Sequence, residues 1–330
     1  MYSENEARSY ITAMGLTLLN EGLVARTWGN ISARISDREF LITPSGLAYD
    51  QTKDSDHAIY NLDTDEWSGP HKPSGERGVH AAAYRAFPEA GFVVHTHQVY
   101  ASALGVAGFD QLDITEEEKE RLGGILLSGY GLPGQKKLTN AVKDCLEAGA
   151  HVVLMKYHGV LVVGTDQEDA YGKVILLEEI CKRNYRGTAM EEQDLPEAVM
   201  SDVKAAFPEA LPVTTSAAIA YSTLGIALKA QLDDMAQMIG GKIPVVNGNA
   251  EEIKAALNKN CAVFVANQGA IVNGRDADDS QALQILVDKA AVSALQAIAC
   301  GKKIKMGCMD VALQNFVYRK KYSKQKFEKG

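Results

Sequence analysis

The chain has 330 residues and a formal net charge of −8, with 46% hydrophobic and 23% charged residues. That length suits two domains or one large one, and the proportions are those of a globular protein. The acidic balance excludes a nucleic-acid footprint, and the basic "YRKKYSKQKFEKG" at the end reads as a solvated terminus.

In chain order, Ala7, Tyr10, Ile11, Met14, Leu18 and Leu19 fall at helical spacing, with Gly22 as a stop signal. "GNISARI" and "EFLITP" read as strands, followed by a turn-rich stretch and "NLDTDEW". A helix is expected from Ser74, its N-cap, to Ala86, then a strand "FVVHTH" and a helix over Val99–Gly105. After the acidic "DITEEEKERLG" come a strand "GILLS", a loop "GYGLPGQ" and a helix "KKLTNAVKDCLEAG". Two apolar runs, "HVVLMKY" and "VLVVG", lead into a long helix, "DQEDAYGKVILLEEICKRNYRG". Strands clustered in this way predict an α/β sandwich with a mixed or mainly antiparallel sheet, not a regular βαβ array.

Five cysteines are scattered without any CxxC pair, the pattern of reduced thiols. The N-terminus is acidic where a secretion signal carries positive charge, and no apolar run is expected to span a membrane. A cytoplasmic protein with no membrane partner is the expectation.

The second half repeats pieces of the first. "AFPEA" occurs at 86–90 and at 206–210, and "YASALG" ending at Gly105 matches "AYSTLG" ending at Gly225. "HVVLMKYHGVLVVGTDQED" parallels "CAVFVANQGAIVNGRDADD", with Gly159 facing Gly269. In this alignment His95 and His97 become Thr215 and Ala217, His158 becomes Gln268, and the Glu76 position falls near Pro196. Three histidines vanish together, whereas packing residues would be lost without a pattern.

On a strand, His95 and His97 point to the same side and can converge on one atom; helical spacing would splay them about 200° apart. His158, in "KYHGVL", offers a third imidazole, and three neutral imidazoles suit a Zn²⁺ with one open position. Each histidine taken alone is more often a hydrogen-bonded core residue. In "KPSGERGVH", the start of a helix provides an anion site at Ser74 and Gly75, with Glu76 beside it as a general base. Glu76 and His80 are also spaced to pair on a helix surface. Asn30, Ser45 and Gly46, in "GNIS" and "ITPSG", bring small polar groups to strand ends, where ordinary turn chemistry is the plainer reading.

Taken in order, "GNIS", "ITPSG", "PSGE", "VVHTH" and "HG" followed by "VVGTDQEDAYGKVILLEE" resemble the class II aldolase/adducin family over roughly residues 5–187. The resemblance implies a three-layer α/β/α fold, with zinc held by His95, His97 and His158. It implies that Glu76 is the acid/base, and that Asn30, Ser45, Gly46, Ser74 and Gly75 cradle a substrate phosphate. The activity implied is zinc-dependent cleavage of a ketose 1-phosphate, as in fuculose and rhamnulose phosphate aldolases, to dihydroxyacetone phosphate and an aldehyde. Epimerisation, dehydration or decarboxylation on the same scaffold is the alternative, as is a non-catalytic adducin-like module. The 4-epimerases of the family carry aspartate at the Glu76 position, while its dehydratases keep glutamate. Two departures stand out: Gly75 replaces a serine, and "DITEEEKE" lacks the tyrosine that aldolases place after HxH, leaving Tyr130, Tyr318 and Tyr322 as substitutes. The expected organisation is a catalytic domain over 1–190 and a smaller, degenerate, metal-free copy over 191–330. A small-molecule sugar phosphate and other copies of the chain, in a homo-oligomer, are the expected partners.

Overall fold

The computed structural model describes residues 1–109, 112–304 and 306–327, with side chains to 320. Its first helix, α1 (Glu4–Asn20), is fixed at its start by a capping box in which Ser3 and Glu6 satisfy each other's backbone N–H. There follow β1 (Asn30–Arg34), β2 (Glu39–Ile42), β3 (Ala58–Asn61), β4 (Trp67–Ser68), α2 (Arg77–Ala86), β5 (Phe92–Thr96) and α3 (Val99–Ala107). Then come α4 (Glu116–Leu122), β6 (Ile125–Ser128), α5 (Lys136–Glu147), β7 (Val152–Met155), β8 (Val160–Gly164) and α6 (Gln167–Arg183). These elements form the first of two compact units, Met1–Asn184, so the boundary lies at the end of α6, short of the expected residue 190.

Among the described residues its eight strands are ordered β4-β3-β2-β1-β5-β8-β7-β6, and only β6 and β7 pair in parallel. Alternation divides the sheet between two cores. Ile31, Phe92, Val94, Leu154 and Val162 pack with α1, α3 and α6. Phe40, Val93, Val153, Leu161 and Val163 pack with α2 and α5. Helices on both faces make the expected α/β/α sandwich with a mixed, mainly antiparallel sheet. "NLDTDEW" ends β3, turns through Asp65 at φ 57°, and begins β4.

Under α1, His57 is fully buried, with Nε2 2.9 Å from Thr12 Oγ1. Burial, helped by the Arg8 cation, pushes its pKa from 6.5 down to about 4. The unfolded chain therefore binds the proton first, and stability falls as pH drops from about 6.5 towards 4. The expected loss is about 3 kcal/mol. Melting curves across that range should show it, and His57→Gln should flatten the dependence; an unchanged slope in the variant contradicts this assignment.

The second unit, Tyr185–Gly330, begins with α7 (Glu197–Ala206), β9 (Ala210–Val213), α8 (Ser216–Ser222), β10 (Leu228–Lys229), α9 (Asp233–Met238), β11 (Lys242–Ile243) and β12 (Val245–Val246). It continues with α10 (Ala250–Leu257), β13 (Ala262–Val265), β14 (Gly269–Asn273), α11 (Ala277–Ala299) and α12 (Cys308–Phe327). Its main sheet runs β12-β13-β14-β9, with the first pair parallel and the others antiparallel. That is the order and direction of β6-β7-β8-β5. Contrary to the sequence expectation, α11 is long and apolar enough for a membrane span by length and composition. However, 72% of its most apolar window is buried in protein, as in a core helix.

Candidate active site

The β5 register sets the first two imidazoles. His95 lies opposite Asn30 on β1 and Leu161 on β8. It shares its sheet face with Val93, towards α2, and His97 continues that alternation at the strand end. His158 arrives from the turn between β7 and β8, where Tyr157 takes φ 63° and the Met155 N–H donates to the Gly159 carbonyl at 2.8 Å. Gly159 has to be glycine. A Cβ there would lie 2.3 Å from the Thr96 carbonyl oxygen and 2.9 Å from the His95 ring.

The three ligand atoms lie within 4.8 Å of one another. His95 and His158 stack with ring centroids 5.0 Å apart, and His97 Nε2 is 3.0 Å from His95 Nε2. His95 Nδ1 donates to the Val160 carbonyl at 2.8 Å, which leaves the Nε2 lone pair facing its neighbours. Three converging ring nitrogens, two of them on buried residues and one with its tautomer fixed from behind, are what a metal ion requires, so these residues fit one.

Glu76, just before α2, completes the cluster. Its Oε1 is 2.9 Å from His158 Nε2 and its Oε2 is 3.2 Å from His95 Nε2. Burial alone would raise its carboxyl pKa, but His158 and His95 outweigh burial and hold it well below the usual range. The helix-surface pairing with His80 does not occur. His80 is fully buried, with Nε2 2.5 Å from Asn30 Oδ1 and Nδ1 2.7 Å from Ser32 Oγ. Burial, with His95 adding to it, lowers the His80 pKa to about 3, so the ring is neutral.

The two "PSG" segments meet. Pro44 and Pro73 form a β-bridge, the Ser45 N–H donates to the Lys72 carbonyl at 2.8 Å, and the Ser74 N–H to the Thr43 carbonyl at 3.0 Å. Ser45, Gly46, Ser74 and Gly75 are thus brought together beside Glu76. Ser74 is not the helix N-cap; Glu76 is, and Ser74 Oγ accepts the Glu76 N–H at 3.2 Å. The Asn30 amide contacts Glu76 through Nδ2 and His80 through Oδ1. Of the tyrosines considered, Tyr130 packs on Tyr157 beside the site, Tyr318 belongs to the second unit, and the Tyr322 side chain lies outside the described residues. Ser32 and Tyr84, which extend the Asn30–His80 contact, went unnoticed in the sequence. The i, i+2 spacing of "NIS" and the i, i+4 spacing of "HAAAY" are the signals that place them.

The mixed sheet thus carries three convergent imidazoles that could hold a metal ion, with a carboxylate against two of them. Residues 9–185 match the family described as class II aldolase and adducin N-terminal domain, and the chain belongs to that family. It is 31% identical over 174 residues to the L-ribulose-5-phosphate 4-epimerase UlaF of Salmonella paratyphi C, covering 49% of this chain and 76% of that protein. Among solved structures, YgbL of Klebsiella pneumoniae, described under the alternatives aldolase/epimerase/decarboxylase, aligns with TM-score 0.52 and 26% identity over 56% of this chain and 90% of that one. An L-fuculose 1-phosphate aldolase aligns with TM-score 0.51 and 24% identity, over 61% and 95% of the two chains, a likeness of fold alone.

Proposed function

We propose that the first unit is a zinc-dependent aldolase that cleaves a ketose 1-phosphate to dihydroxyacetone phosphate and an aldehyde. The observation that carries this reading is the Glu76 carboxylate set between two imidazoles of a three-histidine cluster. His95, His97 and His158 would hold the ion, whose chemistry when bound is Lewis acidity toward the ketose carbonyl oxygen. Glu76 moves a proton on or off the carbon released when the carbon–carbon bond breaks. The paired 43–46 and 72–75 segments receive the phosphate through the Gly46 and Gly75 N–H groups and the Ser45 and Ser74 hydroxyls. Stripping the protein with a chelator should abolish turnover and added Zn²⁺ should restore it; turnover that survives complete stripping defeats the proposal.

Epimerisation of a pentulose phosphate is the second reading, favoured by the 31% identity to a 4-epimerase. Glu76, where the resemblance gives epimerases an aspartate, favours the aldolase.

A Cβ at Gly75 would meet nothing within 4 Å. Crowding therefore does not account for the missing serine, and Gly75→Ser should fold normally. It should lower KM for the phosphate-bearing substrate by up to about tenfold through one added hydroxyl contact. Steady-state kinetics check this; a raised KM places the phosphate elsewhere.

For the second unit we infer a metal-free copy that serves stability and assembly of a homo-oligomer. Its strand order supports this, as does a shared device at the helix after the first strand. Glu178 accepts the Tyr100 and Ala101 N–H groups at the start of α3, and Asp288 accepts the hydroxyl of Thr215, the N-cap of α8. Among the described residues, no strands equivalent to β1–β4 join its sheet, which leaves β9 at the edge. Removing residues 185–330 should cause aggregation or a changed oligomeric state; a soluble, fully active fragment of unchanged state contradicts the inference.

A further inference from the structure

The Glu76 carboxylate ends a buried hydrogen-bond chain that the reaction as described does not use. Asn30 Nδ2 donates to Glu76 Oε2 at 3.0 Å, and Asn30 Oδ1 lies 2.5 Å from His80 Nε2. His80 Nδ1 lies 2.7 Å from Ser32 Oγ, which is 2.9 Å from the Tyr84 hydroxyl. Asn30, Ser32, His80 and Tyr84 are all at most 3% exposed, so no solvent competes for these groups.

Donor counting fixes the direction of every link. The Asn30 NH₂ faces Glu76 and its carbonyl oxygen faces His80. That oxygen only accepts, so His80 carries its proton on Nε2 and Nδ1 is bare. The Ser32 hydroxyl then donates to Nδ1, and the Tyr84 hydroxyl donates to Ser32. The chain therefore runs one way, from Tyr84 to the carboxylate. Two periodicities build it: Asn30 and Ser32 are i, i+2 on β1, and His80 and Tyr84 are i, i+4 on α2.

We propose that His80, acting through Asn30, is a positioning residue for Glu76. An asparagine amide without a partner behind it can flip and turn its oxygen on the carboxylate, which then swings away from the His95–His158 pair. A donor at His80 Nε2 locks the orientation that holds Glu76 in place. This rests on Glu76 being the proton carrier proposed above.

The test uses the full chain loaded with Zn²⁺ and a ketose 1-phosphate. His80→Phe keeps a ring but removes the donor. His80→Gln places an amide N–H at the reach of Nε2. His80→Phe should lose roughly 10- to 100-fold in kcat, with KM and zinc content unchanged, and His80→Gln should recover most of the loss. Side-chain ¹⁵N spectra should show Asn30 amide protons that exchange slowly in the wild type and His80→Gln, and rapidly in His80→Phe. Wild-type kcat or a still-protected amide in His80→Phe overturns the proposal, as do equal losses in both variants. Should His80→Phe fail to fold, Ser32→Ala removes only the hydroxyl behind Nδ1. A lowered kcat at unchanged KM is then expected, and a wild-type kcat overturns the proposal. A wild type that cleaves no ketose 1-phosphate defeats the aldolase reading, while the Asn30 amide signal still decides the positioning.

Discussion

Replacing His97 by Ala should remove the metal and the activity together. His97 is the partly exposed member of the cluster, at the end of β5, so its loss leaves the buried His95–His158 stack and the sheet intact. Two imidazoles hold a divalent ion far less well than three, and loss of affinity should exceed about a hundredfold, since even outer-shell changes cost ten to a hundred. The stripped variant should melt close to the stripped wild type, which separates loss of a ligand from loss of fold. Full zinc occupancy in purified His97→Ala, read by elemental analysis, makes the ligand assignment wrong.

Glu76→Gln should keep the metal and lose turnover by roughly 10²- to 10⁴-fold. The amide has nearly the shape of the carboxylate and can still meet Asn30, but it cannot carry a proton. KM should change little, because the segments 43–46 and 72–75, proposed to bind the phosphate, are untouched. A variant with near wild-type kcat gives Glu76 a packing role only.

The site was legible where periodicity is strict. A strand repeats every two residues, so "HTH" read as strand places both imidazoles on one face, and the rings do meet although β5 itself ends at Thr96. The two "PSG" segments were visible singly, but their meeting through Pro44 and Pro73 is a long-range pairing that local sequence does not encode. Glu76 and His80 mislead for a related reason. Their i, i+4 spacing states that they share a face of a helix, not whether that face meets water or the sheet. In the fold it meets β1, and Glu76 precedes the first helical residue, so each finds its own partners. The Ser74 boundary was misplaced because its hydroxyl serves the turn ahead of α2, which from sequence looks the same as a cap.

The measurement that tests the central claim most directly is product analysis by ³¹P and ¹³C NMR. Zn²⁺-loaded protein is incubated with ketose 1-phosphates and, separately, with pentulose 5-phosphates. The account predicts dihydroxyacetone phosphate and an aldehyde from a ketose 1-phosphate, with no release from the His97→Ala chain. Interconversion of pentulose 5-phosphate epimers without any dihydroxyacetone phosphate would contradict it.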